Sequence, residues 1–163
     1  MSEFLNADFI FQLLLSTIRM ATPILIVALA ELYSERAGLV NIGLDGIMSF
    51  GALIGFIVGL QTQSPWLGIL AGALGGVFVN MVYAFCTITL CAEQIVYGMA
   101  INIFAPALAS FIYKLFFADT SALIQGITMN TMPIPVLCDI PVIGQLFFNH
   151  TPVVYLVYLM VPL

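Results

Sequence analysis

The sequence predicts an all-α fold: a polytopic bundle of transmembrane helices with about four full spans and a shortened fifth. Three observations predict it. Hydrophobic residues make up 63% of the chain and charged residues only 7%, where a soluble domain carries roughly 25% charged residues. Mean hydropathy is +1.17. Residues 46–92 carry no charge. As one helix they would run ~70 Å, more than twice the ~30 Å hydrocarbon core, so they must fold back once. With 3 basic and 8 acidic side chains the chain cannot clothe a water-facing globule, and three cations cannot track a nucleic-acid backbone. The net charge of −5 decides little, because so few groups contribute to it.

The first span is predicted at residues 9–32, with Arg19 and Pro23 inside it. It does not read as a cleaved leader: Glu3 and Asp8 stand where a basic region belongs, and no small-x-small site follows. Gln61-Thr62-Gln63-Ser64-Pro65 is the turn-like cluster within the uncharged run, so span two covers 39–60 and span three 66–90. Trp66 then falls at an interface, which suits its amphipathic ring. Span four covers 95–117. The stretch 118–151 contains Pro133, Pro135 and Pro141 but no Lys or Arg, which favours placing it outside. Arg36 is then inside, the amino terminus outside, and Lys114 snorkels at the outer surface. Residues 152–163 are apolar again but reach only ~18 Å, short of a crossing. The expectation is one transmembrane domain over 1–163, incomplete at its carboxyl end, in a longer protein.

Glycine and polar residues mark the places where function could reside. Gly51, Gly55 and Gly59 repeat every four residues, as do Gly68, Gly72 and Gly76. That spacing gives each helix a smooth stripe where another backbone can approach, either as a packed antiparallel hairpin or as a sliding surface. Between spans one and two, Glu31, Glu35, Arg36, Asn41 and Asp45 interrupt the apolar pattern. A cytoplasmic loop accounts for Glu35 and Arg36. Asn41 and Asp45 lie within the next apolar run, where ionisable and amide groups are functional candidates; Asp45 could equally cap the second helix at the interface. Span four opens with Glu93-Gln94, where Glu93 suits a helix start, and holds Asn102, an amide that needs a partner in another helix or a ligand. Asn41, Asp45, Gln94 and Asn102 are therefore the candidate path residues. Arg19 is expected to pair with an acidic neighbour. Cys86, Cys91 and Cys138 form no Cys-x-x-Cys pair and read as small hydrophobes. His150 is the single histidine and makes no metal site alone; Asn149-His150-Thr151 matches a glycosylation triplet. No hydrolase elbow, metalloprotease motif or phosphate loop is present.

The polar break also carries a resemblance. Thr-Pro-Ile-Leu-Ile-Val-Ala-Leu-Ala-Glu at 22–31, Glu-Arg-Ala-Gly-Leu-Val-Asn-Ile-Gly-Leu-Asp-Gly-Ile-Met at 35–48 and Gly51-Ala52 resemble permease subunits of bacterial ABC importers, in the group that takes up nucleosides and simple sugars. That group is related more distantly to ribose and branched-chain amino-acid permeases. Ala-Glu-Gln-Ile-Val-Tyr-Gly-Met-Ala-Ile-Asn at 92–102 and Asp-Ile-Pro-Val-Ile-Gly-Gln-Leu-Phe-Phe-Asn at 139–149 are similar to it as well. Asp45 stands where the family pattern carries Glu, which keeps the charge.

The resemblance implies a multi-pass subunit of the bacterial cell (inner) membrane, with no cofactor on this chain. ATP and Mg would belong to a cytoplasmic ATP-binding subunit. The other implied partners are a second permease subunit, an extracytoplasmic substrate-binding lipoprotein and the lipid bilayer. In the family the loop that grips the ATPase follows the fifth span, beyond the residues present, so these 163 residues alone are not expected to couple to ATP. Two other readings compete. An ion-coupled secondary transporter would use Asp45, Glu31 and Arg19 as coupling groups, and a non-transporting membrane scaffold would need only the glycine ladders.

Overall fold

The computed structural model describes residues 7–118, 126–133 and 149–161. Its elements are α1 (Ala7–Arg36), α2 (Leu44–Thr62), α3 (Pro65–Ala84) continuing into a π-helical turn (Phe85–Thr89), α4 (Gln94–Phe117), the two-residue strands β1 (Met132–Pro133) and β2 (Asn149–His150), and α5 (Pro152–Met160). Among the described residues, four helices are long and apolar enough to cross a membrane. In lipid each backbone N–H and C=O must find its partner within the protein, which is why such apolar runs form helices. Pro65 and Pro152 open their helices in the first turn, where a missing N–H costs nothing. Residues 134–148, including the 139–148 part of the resembling segment, Cys138, Pro135 and Pro141, lie outside the described residues.

The chain divides into two compact units. In the unit made of Met1–Leu32 and Met129–Leu163, β1 and β2 pair antiparallel, Met132 opposite His150. The Tyr155 hydroxyl fastens this pair to α5. It accepts the His150 N–H at 3.1 Å and donates to the Met132 carbonyl at 3.0 Å. His150, Val154 and Val157 are buried beside it. Arg19 lies on an exposed part of α1.

The second unit, Tyr33–Thr128, holds α2, α3 and α4. α2 and α3 form an antiparallel hairpin in which Gly51 faces Gly72 and Gly55 faces Gly68. α4 runs parallel to α2: Gly46 lies against Ile101 and Asn102, and further along Phe56 meets Tyr113 and Phe117. Tyr83, Ile101 and Ala105 form the core, with Ile47, Phe50, Val79 and Tyr97 packed around them. The outward face of α3 is apolar too, with Leu70, Leu74, Phe78 and Met81 all more than 60% exposed. A helix that is hydrophobic all round belongs in lipid or against further protein.

Three boundaries differ from the sequence expectation. α1 does not end at 32 but continues to Arg36, closed by a Schellman motif. Gly38 adopts φ +83°, its N–H donates to the Glu35 carbonyl at 2.9 Å, and the Leu39 N–H donates to the Ser34 carbonyl at 3.0 Å. α2 begins at Leu44, not 39, because residues 37–43 are irregular. The regular part of span three stops at Ala84, and the π-helical turn takes the chain to Thr89. Cys91, at φ +53°, then redirects it toward α4.

Candidate functional site

Irregular backbone between apolar helices must have its polar groups satisfied by side chains. Residues 39–46 meet this requirement with amides and one phenol drawn from α3 and α4. The Val40 N–H donates to Gln94 Oε1 at 2.9 Å, and the Val40 carbonyl accepts from the Tyr83 hydroxyl at 2.7 Å. Asn102 bridges across α2's first turn. Its Oδ1 accepts the Gly46 N–H at 2.7 Å and its Nδ2 donates to the Ile42 carbonyl at 2.7 Å. Asn41, only 4% exposed, accepts the Gly43 N–H at 2.9 Å and donates to Asn80 Oδ1 at 3.1 Å. The Ser34 hydroxyl donates to the Leu39 carbonyl at 2.9 Å.

This clamp needs close backbone approach, and glycine supplies it. A Cβ on Gly46 would stand 2.6 Å from the Ile101 carbonyl oxygen, and one on Gly98 would stand 3.0 Å from the Gly43 nitrogen. No side-chain rotation relieves a contact with backbone, so these two positions fix how near α4 lies to the loop.

Asn41, Gln94 and Asn102 thus converge on one stretch of chain, each engaged with backbone. Asp45 sits in the first turn of α2, exposed, with no capping hydrogen bond. At that place its carboxylate faces the positive end of the helix. Glu35 and Arg36 are exposed at the end of α1. Of the helix-packing glycines, Gly51, Gly55, Gly68 and Gly72 have a facing backbone carbonyl 2.9 Å from an added Cβ, whereas Gly59 and Gly76 meet nothing nearer than 3.7 Å and 3.6 Å. Sequence reasoning missed Asn80 and Tyr83. The signal for Asn80 was available: it is an amide in an otherwise apolar span, and it needed a partner as much as Asn102 did. Tyr83 carries no such signal, because tyrosine is common in membrane helices. Among the described residues no group of His, Cys, Asp and Glu could hold a metal ion.

The description of one protein family, the branched-chain amino acid transport system / permease component, matches residues 13–138. The nucleoside ABC transporter permease protein NupC of Lactococcus lactis subsp. cremoris is 37% identical over 137 residues, covering 80% of this chain and 43% of that protein. The guanosine ABC transporter permease protein NupQ of Bacillus subtilis is 35% identical over 140 residues, covering 82% of this chain and 44% of that protein. The ABC transporter permease protein TsgC13 of Haloferax volcanii, named for glucose on a provisional basis, is 36% identical over 157 residues, covering 95% of this chain and 47% of its own. The chain therefore spans just under half the length of the curated relatives it matches. No solved structure matches it.

Proposed function

The chain belongs to the branched-chain amino acid transport system / permease component family, and from that premise we propose that it forms part of the translocation path of an ATP-driven importer for a nucleoside or simple-sugar-like solute. It is a transport subunit of the cell membrane and not a catalytic chain. ATP hydrolysis, with its Mg, falls to a separate cytoplasmic subunit. A second permease subunit and an extracytoplasmic substrate-binding lipoprotein complete the assembly.

The observation that carries this reading is the clamped loop. A break between helices, built from fixed backbone and amides, is the kind of element that can line a polar passage. Asn41, Gln94 and Asn102 act as positioning residues that hold its shape. Asp45, exposed at the head of α2, presents charge to the path. Family membership favours this reading over an ion-coupled transporter using Glu31, Asp45 and Arg19, and over a scaffold.

The test uses cells that lack their own nucleoside and glucose uptake and receive the complete transporter. Guanosine or glucose should enter. Asp45→Asn should insert as well as wild type while lowering uptake about tenfold, the size of one lost contact to a charged group. Full uptake by that variant removes Asp45 from the path, and no uptake of either solute by the wild type removes the substrate assignment.

A further inference from the structure

Beyond Asn102 and Gly46 the parallel helices α2 and α4 part to leave a groove of about 590 Å³, lined by Ser49, Phe56, Pro106, Ser110, Tyr113 and Lys114 among others. It begins one turn past Asp45, whose carbonyl accepts from the Ser49 hydroxyl at 2.9 Å. Its volume falls within the roughly 300–1,000 Å³ of small-molecule sites, and those too are mostly apolar with a few polar groups.

The groove also carries polar groups. Many helix hydroxyls are spent on backbone: Ser16, Thr17, Thr22 and Thr62, like Ser49 within the groove, each donate to the carbonyl four residues earlier. The Ser110 hydroxyl, the Tyr113 hydroxyl and the Lys114 ammonium make no hydrogen bond or ion pair among the described residues. They stand at i, i+3 and i+4 on α4, so one helical face carries all three. Pro106, having no N–H, also leaves the Asn102 carbonyl without its helical donor. Ser110, Tyr113 and Lys114 are all exposed on that face, so a ligand lying in the groove can reach them. Beside them lies an aromatic cluster: Phe56 and Tyr113 have ring centroids 6.2 Å apart, Phe56 and Phe117 5.9 Å, and Tyr113 and Phe117 4.9 Å.

We infer that this groove is a solute subsite for a nucleoside, with the base against Phe56 and Tyr113 and the sugar hydroxyls toward Ser110, one turn back along α4. The inference rests on the importer reading and adds to it the residues and the ligand class. A nucleoside engages both kinds of group at once, its planar base against the rings and its sugar hydroxyls on the polar side chains.

The complete transporter carrying Ser110→Cys is treated with a thiol reagent, and modification of position 110 is followed by peptide mass spectrometry with guanosine, with glucose or with neither. ATP-driven guanosine uptake is measured in parallel on the wild type. Guanosine should slow labelling about tenfold, as a stacked and hydrogen-bonded base would, and glucose should not. Equal labelling with and without guanosine, in a transporter that imports guanosine, overturns the subsite and leaves the importer reading standing. Protection by glucose equal to that by guanosine overturns the nucleoside class. No ATP-driven uptake by the wild type overturns the importer reading, and the subsite with it. Should Ser110→Cys fail to insert, Tyr113→Leu decides: its KM for guanosine should rise about tenfold with kcat retained, and an unchanged KM overturns the inference.

Discussion

Asn102 holds two backbone groups, the Gly46 N–H and the Ile42 carbonyl, both at 2.7 Å. Asn102→Leu keeps the volume and removes both bonds. Each stranded group costs about 1–3 kcal/mol, so the variant should lose about 2–4 kcal/mol after relaxation, seen as a clear fall in the thermal midpoint of the detergent-solubilised protein. An unchanged midpoint would mean that the loop does not depend on this amide. Asn102 was legible in the sequence as an amide needing a partner. What it partners was not, because Ile42 and Gly46 lie about 60 positions earlier in the chain and a backbone acceptor leaves no mark in residue identity. The same holds for Gln94 and Tyr83, whose partner is the backbone of Val40.

At the scale of elements, the α2–α3 hairpin sets two effects of glycine against each other. Replacing a helical glycine with alanine gains about 1 kcal/mol of helix propensity, while forcing a Cβ into a packed interface costs about 1–3 kcal/mol. Gly72→Ala places the Cβ 2.9 Å from the Gly51 carbonyl oxygen, a backbone atom that cannot rotate away, so the cost should win and the midpoint should fall. Gly76→Ala meets only the Ile47 Cγ2, at 3.6 Å, and should be neutral or stabilising. If both variants behave alike, the helices are not seated as described. The ladder itself was plain in the sequence. The head of α2 was not: Leu39, Val40 and Ile42 are as apolar as a helix would require, and hydropathy alone cannot tell a clamped loop from a helical turn. Gly38 and Gly43 were the available hint, and Gly38 is where the backbone turns left-handed. The π-helical turn at Phe85–Thr89 left no signal, since its composition continues that of α3.

For the whole molecule, composition carried most of the fold, because a chain with 7% charged residues has few ways to hide its backbone. Span number followed from length arithmetic and family from the polar break at 22–48. Roles within the break depend on contacts among three helices, and these become visible only once α3 and α4 are placed beside it. The central claim is that this membrane domain works in an importer driven by ATP. The most direct measurement is solute uptake into proteoliposomes containing the complete transporter, its ATP-binding subunit and its binding protein, with ATP or with an imposed proton gradient as the energy source. Uptake of guanosine or glucose that requires hydrolysable ATP and persists when ionophores abolish all ion gradients is the predicted result. Uptake that runs on the proton gradient without ATP, and stops when that gradient is collapsed, would contradict it.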